Sequence, residues 1–278
     1  MKVTVAELRI LALEEQHSMD RAEGLAWARK VDAFGAIAKL FSRPKDEDFE
    51  LIYKERRYQP FWHVVCSAFY GYERQGEYQV TMRGPEVKSV TIQGTDYDVA
   101  GNGVTFSGLE HCSEIASVEY YVDALSGSKE ASLAEYVNYP GRVVSLQDLA
   151  ALRSEGVIVV PPQLASTGIV RDAVGGLVKR VVADEITEEV LEVQSLDLYF
   201  RPIYTFQYRW ASKEREAMME YDALTGKFST EGKSYQEYGD ATIDAELVAG
   251  PDAQTVAQLV PGGQLAVKIE ATPARRRG

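Results

Sequence analysis

The chain switches between two hydrophobic rhythms, a helical one and an extended one, and it makes the switch twice. Trp27, Val31, Phe34, Ala38 and Phe41 recur at the spacing of one helix face. Ser18 stands at the N-cap position, and Arg43-Pro44 forms the stop because proline disfavours helical geometry at the residue before it. Val170, Val174, Leu177 and Val181 repeat the spacing later, across the helix-weakening pair Gly175 and Gly176. After each helix the period falls to two. Phe200, Pro202, Tyr204, Phe206, Tyr208 and Trp210 occupy even positions, while Arg201, Thr205, Gln207 and Arg209 lie between them. That alternation predicts a strand with one buried and one wet face. Tyr58, Pro60, Trp62, Val64, Cys66, Ala68, Tyr70 and Tyr72 form the even set of an equivalent earlier strand.

The two passages read as copies. Tyr58-Gln59-Pro60-Phe61-Trp62 lines up with Phe200-Arg201-Pro202-Ile203-Tyr204, and Asp123-Ala124-Leu125-Ser126-Gly127 with Asp222-Ala223-Leu224-Thr225-Gly226, a turn whose glycine supplies positive φ. Pro60 and Pro202 are expected at a strand start or an edge, since neither can donate to a ladder. The first copy is longer, and its extra residues, about 75–118, read as a β-rich insertion with strands near Tyr78 to Arg83 and Val87 to Ile92 and a hairpin across Gly101-Asn102-Gly103. Ser145 to Asp148 has the form of a capping box, followed by an extended Val157 to Val160 and the stop Pro161-Pro162; Asp252 to Leu259 and Leu265 to Ile269 repeat that helix and strand. The expected fold is α+β, with two related modules, each a long helix packed on an antiparallel sheet. The first spans 1–161 and the second 162–271, with 272–278 a disordered tail. Tyr204, Phe206 and Trp210 are expected beneath Val174, Leu177 and Val181.

An aromatic-rich antiparallel sheet under a helix, closed by the Asp222-Ala223-Leu224-Thr225-Gly226 turn, resembles PepSY and cystatin-like modules, here in tandem over Ser18 to Gly127 and Ser166 to Phe228. The resemblance implies binding or inhibitory units, which are often exported.

Composition narrows the function. Forty-two acidic against thirty basic side chains give a net charge of -12, which repels a phosphate backbone and argues against nucleic acid. At 45% apolar and 26% charged, the chain has ordinary globular usage. The apolar runs fall short of the roughly 18 residues a spanning helix needs. Glu7, Glu14 and Glu15 also stand where a signal peptide would be apolar, so neither membrane nor export is expected. Two cysteines fit a reducing compartment, and the expected location is the cytoplasm.

His63, Cys66, His111 and Cys112 have the inventory of a zinc site. Residues 63 and 66 of a strand point to opposite faces, however, as do 111 and 112, so no metal or cofactor is expected. Cys66 shares the aromatic face and reads as an inert core thiol rather than a nucleophile activated by His111. Neither Gly101-Asn102-Gly103 nor Gly175-Gly176 has the context of a phosphate loop. Phe61, Val65 and Phe69 fall on the odd face, which one helix cannot also cover, so they are expected against the inserted strands, the other module or a partner. The sequence thus points to a non-enzymatic cytoplasmic binding or assembly protein whose partner is another protein. The expected partner surface comprises Phe61, His63, Phe69, Tyr70, Tyr72 and His111. The alternative is an enzyme or small-ligand receptor with a pocket lined by His63, Tyr70, Tyr72 and His111. No residue is assigned a catalytic role, and the sequence sets no oligomeric state.

Overall fold

Three long strands organise the chain: β3 (Phe49–Thr81), β6 (Gly103–Asp123) and β9 (Glu185–Trp210). The computed structural model describes residues 1–35, 45–230 and 232–260, with the backbone of 268–269. β3 runs antiparallel between the other two, pairing with β9 from Phe49↔Trp210 to Glu73↔Glu185 and with β6 from Phe61↔Asp123 to Thr81↔Gly103. Beyond Glu73 the β3/β6 pair leaves the sheet as a two-stranded arm, tipped by β4 (Ser89–Ile92) and β5 (Thr95–Asp98). The predicted insertion is therefore an outward extension of one hairpin. β1 (Lys2–Val5) and β2 (Arg9–Leu13) run parallel to β9, and β10 (Arg215–Asp222) antiparallel to it. With β7 (Gly141–Val143), β8 (Ile158–Val159), β11 (Phe228–Ser229) and β12 (Lys268–Ile269), they complete one mixed sheet of ten strands among the described residues.

The expectation of two modules, each with a long helix on its own sheet, is overturned. There is one continuous sheet, and the helices are short: α1 (Met19–Arg29), α2 (Leu146–Ser154), α3 (Ser166–Gly175) and α4 (Ala253–Leu259). The Ser18 side chain does cap α1, accepting from the Arg21 amide at 3.4 Å. The helix then tightens into a 3₁₀ segment, Lys30–Phe34, and breaks at Gly35, whose φ of 91° suits glycine. Ala38, Phe41 and the stop at Arg43-Pro44 lie outside the described residues, as does the tail 272–278. α3 ends at Gly175, where two consecutive glycines raise the cost of further helix.

The repeat itself is visible, as a pseudo-twofold axis between β3 and β9. Tyr58 pairs with Pro202, and its equivalent Phe200 pairs with Pro60. Parallel strands precede both helices, β2 setting Ala12 beside Phe200 and β8 setting Val159 beside Tyr58. Both turns are built alike. Asp123 Oδ1 accepts from the Leu125 and Ser126 amides and Asp222 Oδ1 from those of Leu224 and Thr225, while Gly127 and Gly226 take φ of 80° and 73°.

The prolines sit mid-strand, not at a start or an edge. Pro60 O accepts from the Ala124 amide and Pro202 O from that of Ala223, each just past the end of the neighbouring hairpin strand. The carbonyls a residue-60 or residue-202 amide would have served are filled otherwise. Gln163 donates to Ala124 O, and Gln16 and His17 donate to Ala223 O. A missing donor costs nothing where its acceptor already has a partner.

Tyr204, Phe206 and Trp210 do not lie under α3. They pack with Tyr208, Met219 and Tyr221 against Ala22, Ala26 and Phe34 of the first helical segment. Val170, Val174 and Leu177 pack instead on Trp62, Val64 and Cys66. Each helix thus covers the hairpin of the other copy, on the same even face of the sheet. Parity identified the buried face correctly; it carried no information about which helix would cover it.

Candidate functional site

With both helices on the even face, the odd face decides what the molecule can present. At the centre Phe61 stacks on Tyr199 with ring centroids 5.1 Å apart, roofed by Leu133 and Tyr136 of a 3₁₀ segment, Ala131–Asn138. The equivalent place beside the second hairpin is roofed alike, with the Arg57 guanidinium 4.5 Å from the Tyr235 ring. Further along the first hairpin the face stays open. From residue 61 to residue 70 the even positions of β3 are buried, while His63, Val65, Ser67 and Phe69 are half-buried.

A polar centre borders the open stretch. Asp197, 1% exposed, takes a two-pronged contact from Arg9, with Nε and Nη2 each 2.7 Å from a carboxylate oxygen, because β2 sets Arg9 directly beside it. Ser195 Oγ also donates to Asp197, at 2.8 Å. His63 lies stacked on Tyr121, with Nε2 2.9 Å from Glu119 and Nδ1 3.7 Å from Asp197, the second distance being beyond hydrogen-bond reach. Burial works to lower the imidazole pKa, but the two flanking carboxylates outweigh it and hold the ring protonated above its ordinary range. Burial likewise opposes the Asp197 charge, yet His63, Arg9 and Ser195 pull its pKa down to about 2. The Tyr121 hydroxyl, then His63, lower that of Glu119. The arrangement locks charge in place. Ser195 donates to Asp197 rather than to the imidazole, and the Cys66 thiol, pushed up to about 12 by burial, belongs to the opposite face.

These shifts set opposite pH limbs. The depressed Asp197 carboxyl contributes stability that is complete above the ordinary carboxylate pKa of about 3.9 and is lost as pH falls towards 2, roughly 2 kcal/mol in all. Asp197→Asn should therefore flatten the acid limb of urea-derived stability, and an acid limb as steep as wild type would show the carboxylate free. His63, with its pKa raised, contributes fully below about 6.5, and that contribution fades as pH rises through its folded value. His63→Gln should remove that second limb and make the acid limb shallower, because His63 also helps to hold the Asp197 pKa down.

Next to this centre runs an apolar strip. Val65, Phe69, Val190 and Ile115 share the face, because Phe69 stands between Val190 and Ile115 in register. Ile115 is 77% exposed. Glu119, Glu188 and Glu192 border the strip opposite Val65, Gly71 and Ser67, and Lys2 lies beside Val190 at the far edge.

The expected surface residues are thus divided. His63 and Phe69 lie on the open face, and Phe61 is buried under its roof. Tyr70 and Tyr72 are buried on the even face, Tyr72 donating to Glu114. His111 is exposed and paired with Glu73 at 2.8 Å, ten residues along the hairpin from His63, or roughly 30 Å at strand rise. His63, Tyr70, Tyr72 and His111 therefore share no pocket. A cavity of about 570 Å³ does open between α3 and the Gly127 turn, lined by Tyr120, Lys129, Leu164, Thr167 and Arg171, and none of the six expected residues lines it. Asp197 and Arg9 were missed in the sequence, although a lone acid inside the apolar run Leu196-Asp197-Leu198 was a signal. Comparison with protein-family models, curated proteins and solved structures returns no match for the chain. Among the described residues, no helix is long and apolar enough to cross a membrane.

Proposed function

We propose that the protein is a non-enzymatic binding or assembly protein that engages another protein through the open odd face of its first hairpin. The observation that carries this reading is the contrast between the copies beyond their roofs: where the second hairpin carries Gln207 and Ala211, the first carries Val65 and Phe69, half-buried beside Ile115, which is 77% exposed. Apolar side chains on an uncovered sheet face, bordered by carboxylates, suit a partner that is apolar at its centre and basic at its rim. The locked His63–Asp197 centre supports the same reading, since it stiffens the platform without leaving a group free to do chemistry. The proposed setting is the cytoplasm, where Cys66 and Cys112 would stay reduced.

Phe69→Glu combined with Val190→Glu should deplete the captured partner at least about tenfold relative to wild type. Val143→Glu, on the remote and exposed β7, should leave capture unchanged. All three proteins would first be matched for thermal unfolding. Equal capture by all three would remove the open face from consideration.

A further inference from the structure

The arm that distinguishes the first hairpin leaves a long free strand edge. Tyr121 O accepts from Glu130 and Asp123 N donates to Ser128, so the odd-numbered residues of β6 turn their backbone groups away from β3. Those two contacts close only the end of the strand. From Ser107 to Glu119 no strand pairs with the outer side of β6 among the described residues. The equivalent edge in the second hairpin is short and partly closed, because β11 pairs with β10 at Glu220 and Tyr221.

Exposed edges are ordinarily blunted by lysine, proline or a bulge. β6 contains no lysine and no proline, and its register with β3 runs from Phe61↔Asp123 to Thr81↔Gly103 without a shift. At its middle stands Ile115, 77% exposed. A regular, undefended edge centred on a bare β-branched side chain is the geometry of a strand awaiting a strand.

The sequence of the edge selects the occupant. We propose that β6 pairs antiparallel with β6 of a second copy of this chain, about a twofold axis at Ile115. In that register Ile115 covers its own counterpart and Ser113 meets Ser117. His111 meets Glu119 of the second copy, and the ladder of hydrogen bonds ends there, because Glu130 already holds the place beside Tyr121. On the even face Cys112 stands opposite Val118, and Glu110 comes opposite Tyr120, over whose ring Lys129 already lies at 3.4 Å. These contacts are apolar on apolar, small on small, or acid near base, Glu114 facing the small Ala116, and the twofold makes each occur twice except Ile115 on Ile115, which lies on the axis. Moving the axis to Ser117 would set Ile115 against Glu119. The outward amides and carbonyls of His111, Ser113, Ile115, Ser117 and Glu119 would all enter the ladder. This self-pairing shares Ile115 and Glu119 with the partner reading above without resting on it, and it would join two open faces into one platform.

The full-length protein should be a dimer by light scattering at micromolar concentration. Ile115→Lys should weaken association by at least about tenfold while keeping the thermal unfolding of the monomer, because it places two ammonium groups face to face on the axis. A register test leaves the axis residue alone. Facing non-hydrogen-bonded residues stand about 4.5 Å apart, within disulfide reach. In Val118→Cys made on Cys66→Ala, which removes the thiol standing opposite residue 118 within the chain, oxidised glutathione should take up the electrons of each thiol pair as Cys112 of one copy bonds to the new cysteine of the other, giving a covalent dimer. Wild type should not cross-link in this way. A protein that stays monomeric to about 100 μM, or unchanged association in Ile115→Lys, would overturn the proposal. So would Glu114→Cys cross-linking to Cys112 as readily as Val118→Cys, since that marks an axis at Ser113.

Discussion

Replacing Arg57 with methionine should lower the free energy of unfolding by about 3 to 5 kcal/mol, the range expected when one partner of a buried ion cluster is removed. Its guanidinium is 1% exposed and donates to Glu55 at 2.7 Å, to Thr205 and Glu220, and to Lys233 O at 3.2 Å. Glu55, 2% exposed, gathers further donors from the Tyr53 hydroxyl, Ser234 Oγ and the Tyr235 amide. Burial first, and then the Glu55 carboxylate, push the Tyr53 hydroxyl up to about 12. Methionine would leave that charge buried without its cation. Denaturant unfolding measures the loss, and Arg57→Met with Glu55→Gln should recover part of it, because the second change removes the stranded charge. A loss below about 1 kcal/mol would mean that water reaches the cluster.

Phe206→Ala should cost about 3 to 5 kcal/mol, as large-to-small changes at fully buried aromatics do. The location of the damage tells more than its size. Phe206 packs with Ala22, Ala26 and Trp27, so amide exchange should rise in α1 while α3 stays protected on Trp62 and Val64. The opposite pattern, α3 loosened and α1 intact, would mean that each copy keeps its own helix.

Much of the local architecture was legible because it is written in short-range chemistry. The paired Asp-Ala-Leu turns, the cap at Ser18 and the capping box of Ser145 and Asp148 all stand where the residues placed them, and the helix read over Asp252 to Leu259 forms from Ala253. Parity marked the buried face of β3 and β9 near the prolines. What escaped was whatever depends on a distant partner. Local pattern cannot say that β2 runs beside β9, so the contact of Arg9 with Asp197 was invisible. It also mistook the two hairpins for separate sheets, because the β3–β9 pairing that fuses them leaves no mark on either strand alone. Two register shifts compounded the difficulty. Gln194 is an extra residue on β9, so Val193 and Leu191, odd by number, stand opposite Cys66 and Ala68 on the buried face, until the extra Thr187 returns even numbers to it at Ile186 opposite Tyr72. A strict count of two would have put them in solvent. The open strip was half legible: Val65 and Phe69 followed from parity, whereas Val190 and Ile115 required the register.

The exchange of helices between copies also constrains the order in which the chain can mature. α1 leaves the ribosome before β3, yet the aromatic bed it rests on, Tyr204 to Tyr221, follows about 190 residues later. At 5 to 20 residues per second that delay is roughly ten to forty seconds, during which the N-terminal helix has no docking site and the apolar edge of β3 has no neighbouring β9. Closure depends on contacts of high sequence separation, which slows the collapse to the native state. A nascent chain halted before Trp210 should accordingly be a chaperone client and a protease substrate, however complete its first repeat looks on paper.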